Sequence, residues 1–268
     1  MIDRGKQNVL GILIDAVDYE TVVDEVISSA QRAQPLSVTA LAVHGVMTGV
    51  LDKVQRHRLN RLDRVCPDGQ PVRWALNSLH KVQLNDRVYG PTLMLKICER
   101  AVDERLPIFL FGGDPTTVEA LRHSLAQRFP DLLVAGVRPS KFRRLTEAER
   151  EEMVQEVRAS GARILFVGLG CPRQEVFVYE RARDFHMPCV AVGAAFPFHA
   201  GLIPQAPTWM QQMGLEWLFR LIQEPSRLWK RYVLLNPAYA TLLLLQKVGL
   251  RRPDVNDTLE PTTQGSFG

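Results

Sequence analysis

Asp68 stands in the run Cys66-Pro67-Asp68-Gly69-Gln70-Pro71, after a short β-branched segment and before a helical pattern. An aspartate at such a boundary can cap the helix or the turn. It can also be a carboxylate held at a sheet edge, ready to accept a proton. An ordinary aspartate has a pKa near ~3.9 and is ionised at neutral pH. A base so positioned accelerates a reaction by roughly 10²- to 10⁴-fold.

A second chemical segment is Gly168-Leu169-Gly170-Cys171-Pro172-Arg173-Gln174-Glu175. Gly168 and Gly170 permit close backbone approach, and the free N–H groups of a helix that starts here can hold a phosphate. A dinucleotide fingerprint needs a third glycine where this chain has Arg173, and no first βα unit leads into it. The other reading is a tight strand-to-helix turn, with Gln174 and Glu175 as ordinary first-turn residues. Phe109-Leu110-Phe111-Gly112-Gly113-Asp114 reads as a phosphate or ribose loop, or as a plain turn. Arg87 precedes Val88-Tyr89-Gly90-Pro91-Thr92, where a helix begins. A guanidinium there suits a bidentate diphosphate contact, or is simply solvated.

An Asp-x-Asp metal clamp is missing; Asp254 and Asp257 are wrongly spaced and lie near the end of the chain. No metal and no cofactor are therefore expected. A departing diphosphate would be stabilised by arginines and helix N-termini. None of His44, His57, His80, His123, His186 and His199 has a metal-ligand spacing, and Gly-x-Ser-x-Gly does not occur. Cys66, Cys98, Cys171 and Cys189 form no Cys-x-x-Cys and read as reduced thiols of a cytosolic protein.

The elements that must position these groups read as α/β. Strands are predicted at Val9–Ile14, Leu36–Val43, Arg64–Cys66, Ile108–Phe111, Leu132–Val137, Ile164–Val167 and Cys189–Val192. Helices are predicted at Thr21–Arg32, Gln70–Leu79, Thr92–Glu104, Thr117–Arg128, Glu147–Ser160 and Gln174–Phe185. Short apolar strands bounded by Gly, Pro or Asp indicate a mostly parallel, Rossmann-like sheet with helices on both faces. Ligands of open α/β sheets sit outside the carboxyl ends of the strands. Pro67–Gln70, Gly112–Asp114, Gly168–Gly170 and Gly193–Ala195 all fall at such ends. The expected organisation is an α/β domain over 1–199, a helical appendage over 200–250 and a disordered tail over 251–268.

From Glu216 to Arg252 the bases are Arg220, Arg227, Lys230, Arg231, Lys247, Arg251 and Arg252, against only Glu216 and Glu224. Trp217, Phe219, Trp229, Tyr232 and Tyr239 are interleaved. Such a stretch suits an anionic membrane surface, or is a basic helix packed on the core. The net charge of +4 is too small to imply nucleic acid, and no nucleic-acid module is present. No signal-peptide core opens the chain, and the longest apolar run, Val233–Leu245, is interrupted by Asn236 and Pro237. A membrane span is not expected.

At Pro67-Asp68-Gly69, the Gly168–Glu175 segment, Ala200-Gly201 with Ala206-Pro207, and Leu215-Glu216-Trp217-Leu218-Phe219-Arg220, the chain resembles the WecG/TagA/CpsF glycosyltransferase family. The resemblance runs from about Val9 to Arg231. The segment Asp68–Ala75 is similar to the branch with xanthan-type exopolysaccharide glucosyltransferases.

The resemblance implies a metal-independent, inverting transfer from a UDP-sugar, glucose by preference, to a sugar on a polyprenyl diphosphate. It implies Asp68 as the base, Arg87 as a diphosphate contact and Gln174 in the donor pocket; Thr39 and the strand-end glycines Gly112, Gly168 and Gly170 join them as donor-binding candidates. Arg220, Arg227, Lys230 and Arg231 would serve the acceptor diphosphate or the membrane. It places the protein in the cytoplasm at the inner face of the cell membrane, with homo-oligomerisation open. Relatives often carry Asn where this chain has Leu41-Ala42, with Thr39 the nearest polar group. They often read Phe-Asp-Phe where it has Phe196-Pro197-Phe198, which bears on how the donor base is held. The alternatives are an N-acetylmannosaminyl or N-acetylmannosaminuronyl transferase, a non-catalytic membrane-associated partner in polysaccharide assembly, and a nicotinamide-dependent oxidoreductase.

Overall fold

The structure is a computed structural model that describes residues 1–262, 265, 267 and 268, with Arg227 and Arg231 described by backbone only. The chain opens with β1 (Asp3–Val9) and β2 (Ile12–Val17), then α1 (Tyr19–Gln31), β3 (Leu36–Leu41), α2 (Val43–Leu51), α3 (Lys53–Arg61) and β4 (Arg64–Pro67). It continues through α4 (Gln70–His80), α5 (Gly90–Asp103), β5 (Ile108–Gly112), α6 (Pro115–Arg128), β6 (Val134–Arg138) and α7 (Glu147–Ala159). Then come β7 (Ile164–Gly168), α8 (Arg173–Phe185), β8 (Pro188–Ala191) and α9 (Ala195–His199). Three further helices follow: α10 (Thr208–Gln212), α11 (Glu216–Gln223) and α12 (Pro225–Lys247).

Six strands form one sheet in the order β4-β3-β8-β7-β5-β6, and every neighbouring pair is parallel. Alternation along the strands builds two cores. Phe109, Phe111, Leu165, Val167, Cys189 and Ala191 face one side, with residues of α2, α3, α4, α7 and α8. Ile108, Leu110, Ile164, Phe166 and Val190 face the other, with residues of α1, α5, α6 and α9. Side chains that alternate at a period of two and are buried on both faces give the near-continuous apolar runs seen in the sequence.

Helix starts follow from local hydrogen bonding. Asp18 caps α1 through the Thr21 N–H, and Asp114 caps α6 through the Thr117 N–H at 2.9 Å. Thr146 and Glu149 form a reciprocal capping box at α7.

Two expectations are corrected. Val9–Ile14 is not one strand of the parallel sheet but the turn of a separate antiparallel hairpin, β1–β2. Leu10 (φ 57°) and Gly11 (φ 90°) both take left-handed backbone, as a two-residue hairpin turn requires. The expected strand Leu36–Val43 stops at Leu41, because α2 begins at Val43. Neither α2 nor α3 was anticipated. In α2, Gly45 and Gly49 are needed for close packing: a Cβ would lie 2.3 Å from Leu41 Cδ1 and 2.5 Å from Ile12 Cδ1.

The C-terminal helices lie against the first face. Tyr239 of α12 is buried in the same core as α2 and α4, and its hydroxyl donates to the Pro71 carbonyl at 3.3 Å. Beyond α12 the chain returns along α3. Asn60 Nδ2 donates to the Val255 carbonyl at 3.1 Å, and Arg56 Nη1 to the Asp257 carbonyl at 3.1 Å. No helix of the described residues is long and apolar enough to cross a membrane.

Candidate active site

The carboxyl ends of β3, β4, β5, β7 and β8 surround a cavity of about 580 Å³. Four segments singled out in the sequence meet on its wall. They contribute Asp68, Gly113 with Asp114, Gly168 to Gly170, and Gly193 with Ala194. Leu41, Ala42 and Pro197 line it as well.

The glycines allow close approach. A Cβ on Gly112 (φ 123°) would stand 2.6 Å from the Gly168 carbonyl carbon, and one on Gly168 would stand 2.5 Å from the Phe196 ring. Gly112 itself lies behind the wall, and its backbone conformation shapes the turn that presents Gly113. The Asp114 carboxylate is engaged with the Thr117 N–H and hydroxyl, so its part in this loop is that of a cap.

Glu175 is fully buried on the cavity wall. Its Oε1 accepts from the Thr39 hydroxyl at 3.0 Å and from Gln174 Nε2 at 2.9 Å. Burial pushes its carboxyl pKa up, against these hydrogen bonds. Glu175 Oε2 and Gln174 Oε1 have no hydrogen-bond partner among the described residues. A buried polar atom left this way carries a desolvation cost of about 1–3 kcal/mol, which a bound ligand can remove. Thr39 does not line the cavity and instead supports Glu175 from below.

A second cavity, of about 410 Å³, adjoins the first. Trp74, Trp217, Tyr232 and Tyr239 give it aromatic walls. Asp68, Ala42, Tyr89, Glu216 and Arg220 line both cavities.

Asp68 follows β4 and is half-buried. Its N–H donates to the Leu41 carbonyl at 3.2 Å, and its Oδ1 accepts the Gly90 N–H at 3.0 Å. Burial raises its pKa to about 6, an effect opposed chiefly by Arg87 and reinforced by Glu216. A carboxylate so tuned is a better base than an ordinary aspartate and is still ionised near neutrality.

Arg87 opens onto the second cavity, not the first. It pairs with Glu216 Oε2 at 2.8 Å, donates to Gln211 Oε1 at 3.0 Å, and stacks 4.2 Å above the Tyr89 ring. Arg220 lies 5.7 Å from the Phe198 ring, and its Nε has no hydrogen-bond partner among the described residues. Lys230 lines neither cavity; it is exposed beside the Trp229 ring. The side chains of Arg227 and Arg231 lie outside the described residues. Among the described residues, no three of His, Cys, Asp and Glu converge as a metal site.

Sequence reasoning passed over Glu175, Tyr89, Trp74 and Glu216. The signal for Glu216 was present, as an acid inside the Glu216–Arg220 motif of an otherwise basic stretch. Residues 7–253 match the family described as "Glycosyl transferase WecG/TagA/CpsF family".

Proposed function

This chain belongs to the WecG/TagA/CpsF family of glycosyltransferases, and from that premise we propose that it joins a donor held in the first cavity to an acceptor held in the second, with Asp68 as base. The observation that carries this reading is the position of Asp68 on the walls of both cavities. A transferase needs its base where two substrates meet, within reach of the hydroxyl it deprotonates.

The donor is a UDP-sugar, with UDP-glucose the first choice. Its phosphates lie toward Gly168–Gly170 and the N-terminus of α8, where free N–H groups favour an anion. Gln174 Oε1 and Glu175 Oε2 are unpartnered atoms that a nucleotide sugar can satisfy. The acceptor is a sugar on a polyprenyl diphosphate. Its sugar ring stacks on the aromatic walls that include Trp74 and Trp217. Arg220, which lines both cavities, would meet the donor diphosphate, and Arg87, which lines the second cavity alone, would meet that of the acceptor.

In the step itself, Asp68 takes the proton of the acceptor hydroxyl. That oxygen forms the new bond to the anomeric carbon as the carbon–oxygen bond to the diphosphate breaks. The electron pair leaves with the nucleotide, and the anomeric centre inverts. Arginines and the α8 N-terminus stabilise the departing charge without a metal.

Such an acceptor resides in a bilayer, and the outer surface of the C-terminal helices suits one. Trp209, Met213, Ile222, Trp229 and Leu234 are exposed there, beside Lys230. We place the enzyme on the cytoplasmic face of the membrane, held peripherally by this surface.

Asp68→Asn tests the reading. It should lower transfer by roughly 10²-fold or more while donor binding survives. Unchanged turnover would remove Asp68 from the reaction. A screen of UDP-sugars with a synthetic polyprenyl-diphosphate sugar separates glucose from N-acetylmannosamine and its uronic acid.

A further inference from the structure

We propose that Glu216 is a positioning residue of the transfer site: its carboxylate holds the Arg87 guanidinium away from Asp68, so that Asp68 stays free to take a proton. The inference rests on Asp68 being the base.

Arg87 is the strongest positive neighbour of Asp68, and an arginine paired with a carboxylate makes it a poor base. Yet no ion pair joins Arg87 to Asp68 among the described residues. Both polar contacts of Arg87 Nη2 go to the C-terminal segment, to Glu216 and to Gln211, and the Tyr89 ring supports the guanidinium. The side chains of Arg87 and Glu216 are only 7% and 14% exposed. A buried pair of this kind is weak support for stability, because desolvation offsets most of its attraction. Its placement points instead to the reaction.

The pair is also not saturated. Glu216 Oε2 lies 2.8 Å from Arg87 Nη2, and the Tyr89 hydroxyl also faces this carboxylate, so one acid answers two neighbours and keeps no strictly aligned hydrogen bond to either. Both residues share the walls of the two cavities with Asp68. The charged and titratable groups around Asp68 are Arg87, Asp86 and Tyr89 ahead of α5, Tyr19 of α1, His44 of α2, and Glu216 and Arg220 of α11. Glu216 is the acid that offsets the two arginines. It also lies on the segment that lines the second cavity, so the C-terminal helices contribute to the charge balance at Asp68.

The test is the pH dependence of kcat in Glu216→Gln, Glu216→Asp and Gln211→Glu, with thermal midpoints measured alongside. In Glu216→Gln the guanidinium turns to Asp68, the acid limb moves to lower pH, and kcat at the plateau falls about tenfold, the equivalent of one pK unit. Glu216→Asp keeps the charge and holds the limb near its wild-type position. Gln211→Glu places a second carboxylate on Arg87 and moves the limb the opposite way, a readout that does not require Glu216→Gln to fold. An unmoved limb in both Glu216→Gln and Gln211→Glu overturns the proposal, as does a lower thermal midpoint with kcat per folded molecule unchanged. Asp68→Asn separates the two levels. If it turns over normally, the base assignment fails; if it is inert while the limb stays fixed in the other variants, only the role of Glu216 fails.

Discussion

The Gly90 N–H donates to Asp68 Oδ1 at 3.0 Å, and this fixes one oxygen of the carboxylate while the other makes no hydrogen bond to a described residue. The anchor is backbone, from the first residue of α5, where a Cβ would stand only 3.3 Å from the Ala40 side chain and 3.4 Å from the Val192 carbonyl. The Asp68 N–H is tied in turn to the end of β3 through Leu41. A base held this way loses little orientational freedom when it meets a hydroxyl.

The pH profile of the native protein should report this residue. As the proposed base Asp68 would work in its ionised form, and its pKa is raised to about 6. Turnover therefore falls as pH drops through about 6 and levels off above it. Initial rates across about two units on each side of that value check the limb. A limb down near the ordinary carboxylate range would contradict the burial that surrounds Asp68.

Gly168→Ala should destabilise the fold and damage the donor cavity together. The added Cβ would stand 2.5 Å from the Phe196 ring, deep in the second core. Overpacking of this kind costs about 1–3 kcal/mol. A denaturant titration is expected to show a lower midpoint, and isothermal titration with UDP a weaker affinity.

Glu175 gives a prediction about stability against pH. Burial raises its pKa in the fold, so the ionised form is disfavoured there relative to the unfolded chain. Its stabilisation is complete below the unfolded value and is lost as pH rises toward the folded one. Glu175→Gln mimics the neutral form and escapes this loss. The thermal midpoint of Glu175→Gln minus that of the wild type should grow more positive as pH rises from the ordinary carboxyl range. Glu175→Leu should instead lower stability by about 1–3 kcal/mol, because the buried Thr39 hydroxyl loses its partner.

Lys230→Glu combined with Leu234→Glu should weaken binding to vesicles that contain anionic lipid. Both positions are exposed and lie one helical turn apart on α12. The loss of one base near such a surface is worth about 1 kcal/mol, and the new acids add repulsion. Cosedimentation at low and high salt measures it. Equal binding by variant and wild type at low salt would move the membrane-facing surface elsewhere.

The sheet was legible where burial is complete on both faces. Ile164–Val167 and Ile108–Phe111 read as strands because every residue in them is apolar. The hairpin was hidden because Leu10, which occupies a left-handed turn position, looks like core. Helix α2 was hidden because its sequence is apolar on most sides and carries two glycines that tight packing demands. Asp68 and the Gly168–Gly170 turn were legible as local signals at strand ends. The partnership of Arg87 with Glu216 was not, because the two residues are far apart in the chain and only the tertiary fold brings α11 over the strand ends. The same distance kept Thr39 and Glu175 apart on paper, and with it the support that one gives the other.

Tyr239 sits in the core beneath α12 and donates to the Pro71 carbonyl, three residues beyond Asp68. This contact ties the long helix to the start of α4, close to the proposed base. If the outer side of that helix rests on lipid as proposed, the helix works as a depth gauge. It sets a constant height for Asp68 above the headgroups and admits an acceptor only as tall as that gap. Under that arrangement a product lengthened by one sugar would stand too tall for the same gap. Chain growth at this station would then stop after a single addition, by dimension alone.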